Sequence, residues 1–342
     1  MNFADAIKNA TLHVLSQSKK NLLFGLEVTN VGAGFEEKYP KQVFETPLSE
    51  AASTGLVVGL ATQGYKPQIV FGRVEFALLA FDLIFTQAAR WNYTFGGKSN
   101  CPVSFRIQIG RQWGNGPQHT ANYHSIFLQA CGIDVFIPST PKEAYEHLLY
   151  MNKLNYPSVM LEHRFLYQIE ENFEPVKKYR KPLNARIYYN YKKSDILIIT
   201  YAETLVDALK AKKILHKNDL NVAIINFSYF SSKEKINKNV IKFIENFKNL
   251  LFIDSAPFEF GILSGIMSII TTESKNKHNF FYLSPPNTPA PAAAILMKDY
   301  YKDHNDIVLK VCDILKKKKI KVKKLSFDEK ILWPTDDMQN LE

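Results

Sequence analysis

Three side chains in the first half of the chain have the chemistry and the surroundings that a reaction would need: Glu50, Phe76 and His119. Glu50 enters a segment that otherwise consists of small and apolar residues up to Ala61. A carboxylate in such surroundings is costly unless it is paired or used. An acid in the first turn of a helix is also favoured by the helix dipole, so the position alone leaves a structural and a catalytic role open.

His119 ends a glycine-rich and proline-bearing loop, residues 110–119, that directly follows an apolar run typical of a strand. Loops beyond the ends of parallel strands are common ligand sites. Taken alone, His119 is more ordinary as a surface histidine, and the same holds for His124 and His163. Phe76 by itself is more typical of a hydrophobic core than of a cofactor platform.

Familiar phosphate and metal motifs are missing from the sequence. Gly32-Ala33-Gly34 lacks the third glycine of a dinucleotide-binding loop, and Gly96-Gly97-Lys98 lacks the spacing of a P-loop. There is no GxSxG sequence and no Gly-Asp dipeptide. The three cysteines are widely spaced without a CxxC pair, so we expect neither disulfides nor a metal site, and a reducing compartment.

The elements that must position these residues follow from an alternation of short apolar runs with helix-length segments. Runs such as 21–28, 66–71 and 103–109 predict strands, and segments such as 3–17, 49–63 and 78–93 predict helices. This alternation predicts parallel sheets with helices on both faces. A polar stretch at 168–193 interrupts the pattern, which starts again at residue 196, so we expect two domains.

Charge and hydropathy restrict the partners. The net charge is +10, of which residues 1–167 contribute +2 and residues 168–342 contribute +8. The surplus lies largely in lysine runs without interleaved aromatic residues, which favours a solvated surface over a nucleic-acid site. Since no stretch approaches the roughly 18 to 20 apolar residues of a membrane span and the amino terminus lacks an apolar signal core, we predict a cytoplasmic protein without membrane contact.

An ordered series of motifs over about residues 1–315 resembles the beta subunits of thiamine diphosphate-dependent 2-oxo acid dehydrogenases, the decarboxylating component of pyruvate, branched-chain and acetoin dehydrogenases. The motifs with family-like spacing are Glu45-Thr46-Pro47-Leu48-Ser49-Glu50-Ala51, Gly116-Pro117-Gln118-His119, Leu161-Glu162-His163-Arg164-Phe165-Leu166-Tyr167 and Asn287-Thr288-Pro289-Ala290-Pro291. The resemblance implies an α/β fold of two doubly wound domains. We expect a transketolase-like pyrimidine-binding domain at 1–180, a linker at 181–193, a transketolase C-terminal-like domain at 194–325 and a polar tail at 326–342.

The resemblance also assigns roles to the three residues. It implies that Glu50 hydrogen-bonds a pyrimidine nitrogen of thiamine diphosphate, that Phe76 packs against the aminopyrimidine, and that His119 stabilises the bound substrate and assists acyl transfer. The predicted reaction is decarboxylation of a 2-oxo acid, with transfer of the acyl unit to lipoamide.

The missing Gly-Asp dipeptide is consistent with the same family, in which a separate alpha subunit binds the diphosphate and its Mg²⁺. We therefore expect no metal ligands in this chain, activity only with an alpha subunit, and an α2β2 assembly. A lipoyl-bearing acyltransferase is a possible further partner.

Several positions depart from the family pattern and keep alternatives open. They are Thr120-Ala121-Asn122 in place of Ser-Gln-Ser, Gln129 in place of a histidine, Phe227-Ser228-Tyr229-Phe230-Ser231-Ser232 in place of Leu-Arg-(Ser/Thr)-x-x-Pro, and Ser255 in place of an acid. The altered loop after His119 makes a split transketolase-like or acyloin-forming subunit of a specialised sugar pathway the main alternative. A non-catalytic assembly subunit is a third hypothesis, disfavoured by the presence of Glu50, Phe76 and His119 together.

Overall fold

The computed structural model describes residues 1–26, 28–29, 34–111, 116–176, 180–189, 194–323, 325 and 334–341. The strands are β1 Asn21–Gly25, β2 Val43–Glu45, β3 Lys66–Phe71, β4 Ser104–Ile109, β5 Asp134–Phe136, β6 Ser158–His163, β7 Ala185–Tyr189, β8 Ile196–Tyr201, β9 Ala223–Phe227, β10 Tyr229–Phe230, β11 Asn249–Ile253 and β12 Asn279–Leu283. The α-helices are α1 Phe3–Gln17, α2 Phe35–Lys38, α3 Glu50–Thr62, α4 Val74–Ala77, α5 Ala89–Thr94, α6 His124–Leu128, α7 Pro141–Met151, α8 Thr204–His216, α9 Lys238–Ile244, α10 Ile262–Glu273, α11 Ala294–Tyr300, α12 His304–Ile314 and α13 Met338–Leu341.

The first sheet has the strand order β10-β5-β6-β4-β3-β1-β2. Its members pair in parallel except for the antiparallel edge strand β10. Every residue of β1 and β6 is buried, which explains why these strands read as apolar runs rather than as alternating patterns. Helices pack on the sheet, with α1 against α7 on one side and α3 against β3. This is the doubly wound architecture that the alternation predicts.

The second sheet has the order β12-β11-β8-β9-β7 and is parallel apart from β7, which runs antiparallel to β9. β7 lies within the range predicted as a linker, so this sheet takes its first strand from there. The short helix α13 lies within the range predicted as a polar tail and packs against α8. The exact domain boundaries stay predictions.

The two halves share more than a chain connection, because β10 belongs to the second half but pairs with β5 of the first sheet. Asp134, the first residue of β5, is fully buried. Its carboxylate accepts hydrogen bonds from the Tyr229 hydroxyl at 2.6 Å and from the Ser232 backbone N–H at 2.7 Å. The segment in which the family's arginine is replaced by Ser228 thus supplies neutral donors to a buried acid across the domain boundary.

The helix predicted over 78–93 is interrupted. A 3-10 turn at Leu78–Ala80 leads into a π-helical segment at Asp82–Ala88, and only then does α5 begin. Within this region the rings of Phe81 and Phe85 stack with centroids 4.7 Å apart. The π-helical segment packs against α3, where a Cβ at Gly55 would lie 3.8 Å from the Leu83 side chain. The apolar content of this segment predicts a helix, but the spacing of its apolar residues does not distinguish the wider turn of a π-helix from that of an α-helix.

The described residues contain neither a disulfide nor a membrane-spanning helix. Cys101 and Cys312 are buried, Cys131 is exposed, and all are unpaired. In the part of the chain that the structure describes, no helix combines the length and the apolar character needed to cross a membrane.

Gly132 occupies a position that no other residue can fill without displacement. Its φ is 101°, and a Cβ there would lie 2.2 Å from the carbonyl oxygen of Ala89. We expect Gly132→Ala to lower the free energy of unfolding of the full chain by about 3 kcal/mol or more, from backbone strain and steric overlap together. Denaturant unfolding measures the loss. The matched control is Gly265→Ala, since this exposed glycine in α10 has open space around it and an alanine should gain about 0.5 to 1 kcal/mol; equal effects of both changes would contradict the prediction.

Candidate functional site

Glu50, Phe76 and His119 meet in one cavity of about 340 Å³. The cavity lies where the first sheet presents the carboxyl ends of its strands, because its wall includes Leu26 after β1, Thr46 after β2 and the end of β3. Such an edge is the usual ligand site of a parallel sheet. The structure therefore brings three side chains together although 69 positions separate Glu50 from His119 along the chain.

Local structure explains how each side chain reaches the cavity. Glu50 is the first residue of α3, and the preceding Thr46-Pro47 pair carries the chain from β2 to the helix. Its side chain is half-buried, in contrast to the exposed residues Ala51 and Ala52 that follow it. Phe76 lies on α4, directly after β3, so one turn of helix carries its ring back over the strand end.

His119 is held by a 3-10 turn that spans Pro117–His119. Gly116 begins this turn with a φ of 81°, and its carbonyl accepts a hydrogen bond from the Thr120 hydroxyl at 2.9 Å. The next backbone N–H, of Ala121, donates to Glu75 Oε1 at 2.8 Å, which ties the turn to α4. As a result the rings of His119 and Phe76 meet edge to face, with centroids 5.6 Å apart. Residues 112–115 of the preceding loop lie outside the described residues.

Apolar and polar groups both line the cavity. Apolar walls come from Ile69 and Val70 together with the Phe76 ring, and Glu50 contributes a carboxylate. Two buried polar atoms of the wall, His119 Nδ1 and Ser53 Oγ, have no hydrogen-bond partner within the described residues. Buried polar groups are normally paired, so these atoms indicate space for a polar ligand. The residues present thus fit a flat, polar heterocycle.

Ser53 was not singled out from the sequence, although a signal was available. It follows Glu50 by three residues on α3, and positions i and i+3 of a helix share a face. Arg73 was also missed; it lies in the cavity wall between β3 and α4. As for metals, no group of three or more His, Cys, Asp or Glu side chains among the described residues is arranged to hold an ion.

A second feature that the sequence did not indicate is a buried charge cluster between the domains. Arg111, two residues after β4, donates from Nη2 to Asp207 Oδ2 at 3.0 Å, and its Nε lies 3.8 Å from Glu203 Oε1. Its guanidinium carbon lies 4.4 Å from the centroid of the Phe165 ring. His163 belongs to this cluster and not to the cavity, with Nε2 at 3.1 Å from Glu203 Oε2. The cluster joins the ends of strands from both sheets.

Electrostatics in the cluster favour an ionised Glu203. Burial alone would raise the pKa of this carboxyl, but the adjacent His163 and Arg111 outweigh it and lower the pKa to about 2. His124, whose ring meets Tyr201 edge to face, is fully buried, and burial lowers its pKa to about 3. His124 is therefore a neutral core residue. The expectation that His124 and His163 are surface histidines is wrong, because both side chains are buried between packed elements.

Asp254, at the end of β11, should make the stability depend on pH. Burial raises the pKa of this carboxyl from 3.8 to about 7, although it accepts hydrogen bonds from the Tyr201 hydroxyl and the Ala256 N–H. The folded state then keeps a proton that the unfolded state releases, so this group lowers the free energy of unfolding as the pH rises from about 4 to 7. We expect Asp254→Asn to remove that decline. Urea unfolding of both proteins between pH 4.5 and 7.5 measures it, and parallel pH profiles would contradict the assignment.

Comparisons with known proteins agree with this geometry. The family described as the pyrimidine-binding domain of transketolase matches residues 1–170, and the transketolase C-terminal domain matches residues 186–307. The chain is similar to the beta subunit of acetoin:2,6-dichlorophenolindophenol oxidoreductase from Cupriavidus necator, with 30% identity over 277 residues covering 80% of each chain. It is similar to pyruvate dehydrogenase E1 component subunit beta from Rickettsia felis, with 27% identity over 330 residues covering 90% of this chain and 97% of the relative.

Among solved structures, the chain is similar to one described as a split-gene transketolase in an inactive beta4 tetramer. The TM-score is 0.74 at 16% identity, with 91% of this chain and 97% of the other covered. At that identity the match supports the fold alone. Together with the matched domains, it confirms the predicted fold class of two doubly wound α/β domains, one transketolase-like pyrimidine-binding domain and one transketolase C-terminal-like domain.

Proposed function

We propose, since the chain belongs to the family of beta subunits that includes those of pyruvate dehydrogenase E1 and acetoin:2,6-dichlorophenolindophenol oxidoreductase, that it is the beta subunit of a thiamine diphosphate-dependent 2-oxo acid dehydrogenase. The reaction is decarboxylation of a 2-oxo acid with transfer of the acyl unit to lipoamide. The observation that carries this proposal is the meeting of Glu50, Phe76 and His119 in one cavity.

The side chains of the cavity would divide the work as follows. Glu50 holds and moves a proton at a pyrimidine ring nitrogen, for which a half-buried carboxylate at a helix start is suited. Phe76 holds the ring from one side and, with Ile69 and Val70, excludes water from it. His119 presents an unpaired ring nitrogen, Nδ1, as a hydrogen-bond partner for the substrate. When bound, thiamine diphosphate supplies the carbon nucleophile and the electron sink for loss of carbon dioxide.

An alpha subunit is the partner that this proposal requires, because it would bind the diphosphate and its Mg²⁺. The surface beside the cavity supports such a partner. Leu48, which precedes α3, is 75% exposed, and Leu56 in the middle of α3 is 55% exposed; the small residues Ala51 and Ala52 between them are exposed as well. An exposed apolar patch at the rim of a half-open cavity is typical of a subunit contact. The proposed assembly is α2β2.

The test is co-expression with the alpha-like chain encoded nearest to this one, followed by assay of carbon dioxide release. We expect release that depends on thiamine diphosphate for at least one member of a panel of 2-oxo acids, with an artificial electron acceptor present. A stable complex that binds the cofactor and releases no carbon dioxide from any member would contradict the decarboxylase.

A second candidate function, a split transketolase-like or acyloin-forming subunit, is favoured by one observation. The altered residues after His119 meet the altered position of the second domain, where Asn122 Nδ2 donates to the Ser255 carbonyl at 2.9 Å. The surroundings of the histidine therefore differ from the family pattern on both sides. Formation of a ketol without any dependence on a lipoyl domain would favour this candidate over the dehydrogenase.

His119→Ala should slow the reaction more than it weakens cofactor binding. Its ring meets the Phe76 ring edge to face, whereas its buried Nδ1 has no hydrogen-bond partner among the described residues and is proposed to bind the substrate. We expect kcat in the assembled enzyme to fall about 10²-fold or more, the usual range for loss of a positioned acid or base, with a cofactor Kd within a few-fold of the parent protein. Single-turnover kinetics and calorimetric titration measure the two quantities. Weaker cofactor binding at an unchanged rate would reverse the assignment.

A further inference from the structure

A second cavity, of about 430 Å³, lies between the domains on the other side of the turn that carries His119. One wall is formed by residues 117, 120–123 and 125 of the first domain. The other is formed by residues 255–257, 259–261, 287–290 and 300–301 of the second domain. The assigned roles of Glu50, Phe76 and His119 make no use of this space.

The wall of this cavity combines apolar and polar groups and carries little charge. Its side chains carry hydroxyl and amide groups, among them those of Thr120, Asn122, Ser125, Thr288 and Tyr300. Among the described residues that form it, none is a lysine or arginine, and Glu259 contributes a carboxylate. A phosphate or carboxylate would lose its hydration here without gaining a cation. Neutral groups that both donate and accept hydrogen bonds are matched instead.

Asn122 offers a specific anchor for such a group. Its Nδ2 is used by the carbonyl of Ser255, at 2.9 Å. Its Oδ1 is buried and has no partner within the described residues, although the residue lines the cavity. A buried amide oxygen is satisfied by a donor such as an alcohol hydroxyl.

Phe260 marks the mouth of the cavity. Its side chain is 91% exposed, and its backbone has a φ of 64°. A left-handed conformation is unfavourable for a residue with a Cβ, and such outliers cluster at binding sites. An exposed aromatic face beside hydroxyl and amide groups suits a molecule with apolar C–H faces and polar edges, such as a sugar.

The second cavity is joined to the first by the turn itself. Pro117 and Thr120 line the second cavity, while His119 between them lines the first. We propose that the second cavity binds an uncharged, hydroxyl-rich carbon chain belonging to the substrate or to the acceptor of the reaction. This inference rests on the proposed function, since it names the class of molecule on which the adjacent catalytic cavity acts.

The test is binding of neutral probes to the full chain, observed by saturation-transfer NMR. We expect D-glucose and ribitol to bind, and glucose 6-phosphate and 2-oxobutyrate to bind at least 10-fold more weakly at this site. Asn122→Leu and Phe260→Ala should each abolish the signal. The matched control is Tyr93→Ala, which removes another aromatic side chain, 90% exposed, that lines neither cavity. Absence of binding by both neutral probes, binding that survives both cavity variants, or preference for the phosphate would overturn the proposal.

A kinetic arm keeps this proposal separate from the proposed function. Carbon dioxide release from 2-oxobutyrate by the α2β2 enzyme reports the function without the second cavity, and the control Tyr93→Ala should not alter it. If the hydroxyl-rich chain belongs to the substrate, Asn122→Leu should raise KM for a 2-oxo acid with a hydroxylated chain at least 10-fold. If it belongs to the acceptor, the same variant should lower ketol yield from a neutral aldose. Carbon dioxide release together with an unchanged KM and an unchanged ketol yield would refute the proposed role of the second cavity and leave the proposed function intact. Binding of a sugar without carbon dioxide release would refute the decarboxylase and leave the second cavity intact.

Discussion

Replacement of Glu50 by glutamine is expected to lower cofactor-dependent turnover of the assembled enzyme by about 10²- to 10⁴-fold. Glutamine keeps the size and hydrogen-bonding reach of the side chain but cannot give up or take a proton. Glu50 lies at the start of α3 and in the cavity wall, not in a packed core, so folding and assembly should be retained. Carbon dioxide release measures turnover, and size-exclusion chromatography with calorimetry measures assembly and cofactor binding.

The matched control for this change is Glu36→Gln. Glu36 is also an acid in the first turn of a helix, α2, but it is exposed and does not line the cavity. Its turnover should stay within about two-fold of the parent enzyme, as for most surface substitutions. Turnover of Glu50→Gln that equals the control would remove the chemical basis of the proposed function.

Arg111→Met should lower the free energy of unfolding of the full chain by about 3 to 5 kcal/mol, because it leaves buried carboxylates without their cation. Arg111 is 4% exposed and holds Asp207 at 3.0 Å, and Glu203 beside it is fully buried. Methionine keeps an unbranched apolar stem at this position, so the change chiefly removes the charged guanidinium group. Urea unfolding at pH 7 measures it.

Two further variants test whether the charge itself is responsible. Lys235→Met removes a cation 92% exposed, paired with Glu273 at 3.6 Å in solvent, and should change stability little. The double variant Arg111→Met, Glu203→Gln should recover part of the loss, since it removes one of the stranded carboxylates. A loss below about 1 kcal/mol in Arg111→Met would show that water or other groups compensate Glu203 and Asp207.

Much of the fold could be predicted because burial leaves a direct trace in the sequence. The helix predicted at 3–17 has those bounds, and strands that are buried on both faces, such as β3 and β8, stand where apolar runs predicted them. By contrast, β7 and the two-residue β10 are edge strands with polar neighbours, and their pairing depends on partners far along the chain. No local pattern reports such pairing.

The candidate site shows the same division. A resemblance carried by short motifs brought out Glu50, Phe76 and His119, and the structure places them in one cavity, although their individual roles stay predictions. The contact between Arg111 and Glu203 could not be predicted, because 92 positions separate them and each is unremarkable in its own segment. The positive φ of Phe260 could not be predicted from the sequence either, because a bulky residue with a Cβ rarely adopts that conformation.

The pairing of β10 from the second domain with β5 of the first domain restricts how such a chain can evolve. A gene that encoded the first domain alone would leave the edge of β5 unpaired and would deprive buried Asp134 of the donors from Tyr229 and Ser232. An unpaired strand edge favours aggregation, and a buried acid without hydrogen-bond donors destabilises the fold. The first domain made alone is therefore expected to aggregate. Fission of the coding sequence between these domains is therefore disfavoured, and recombination is expected to transmit them as one unit.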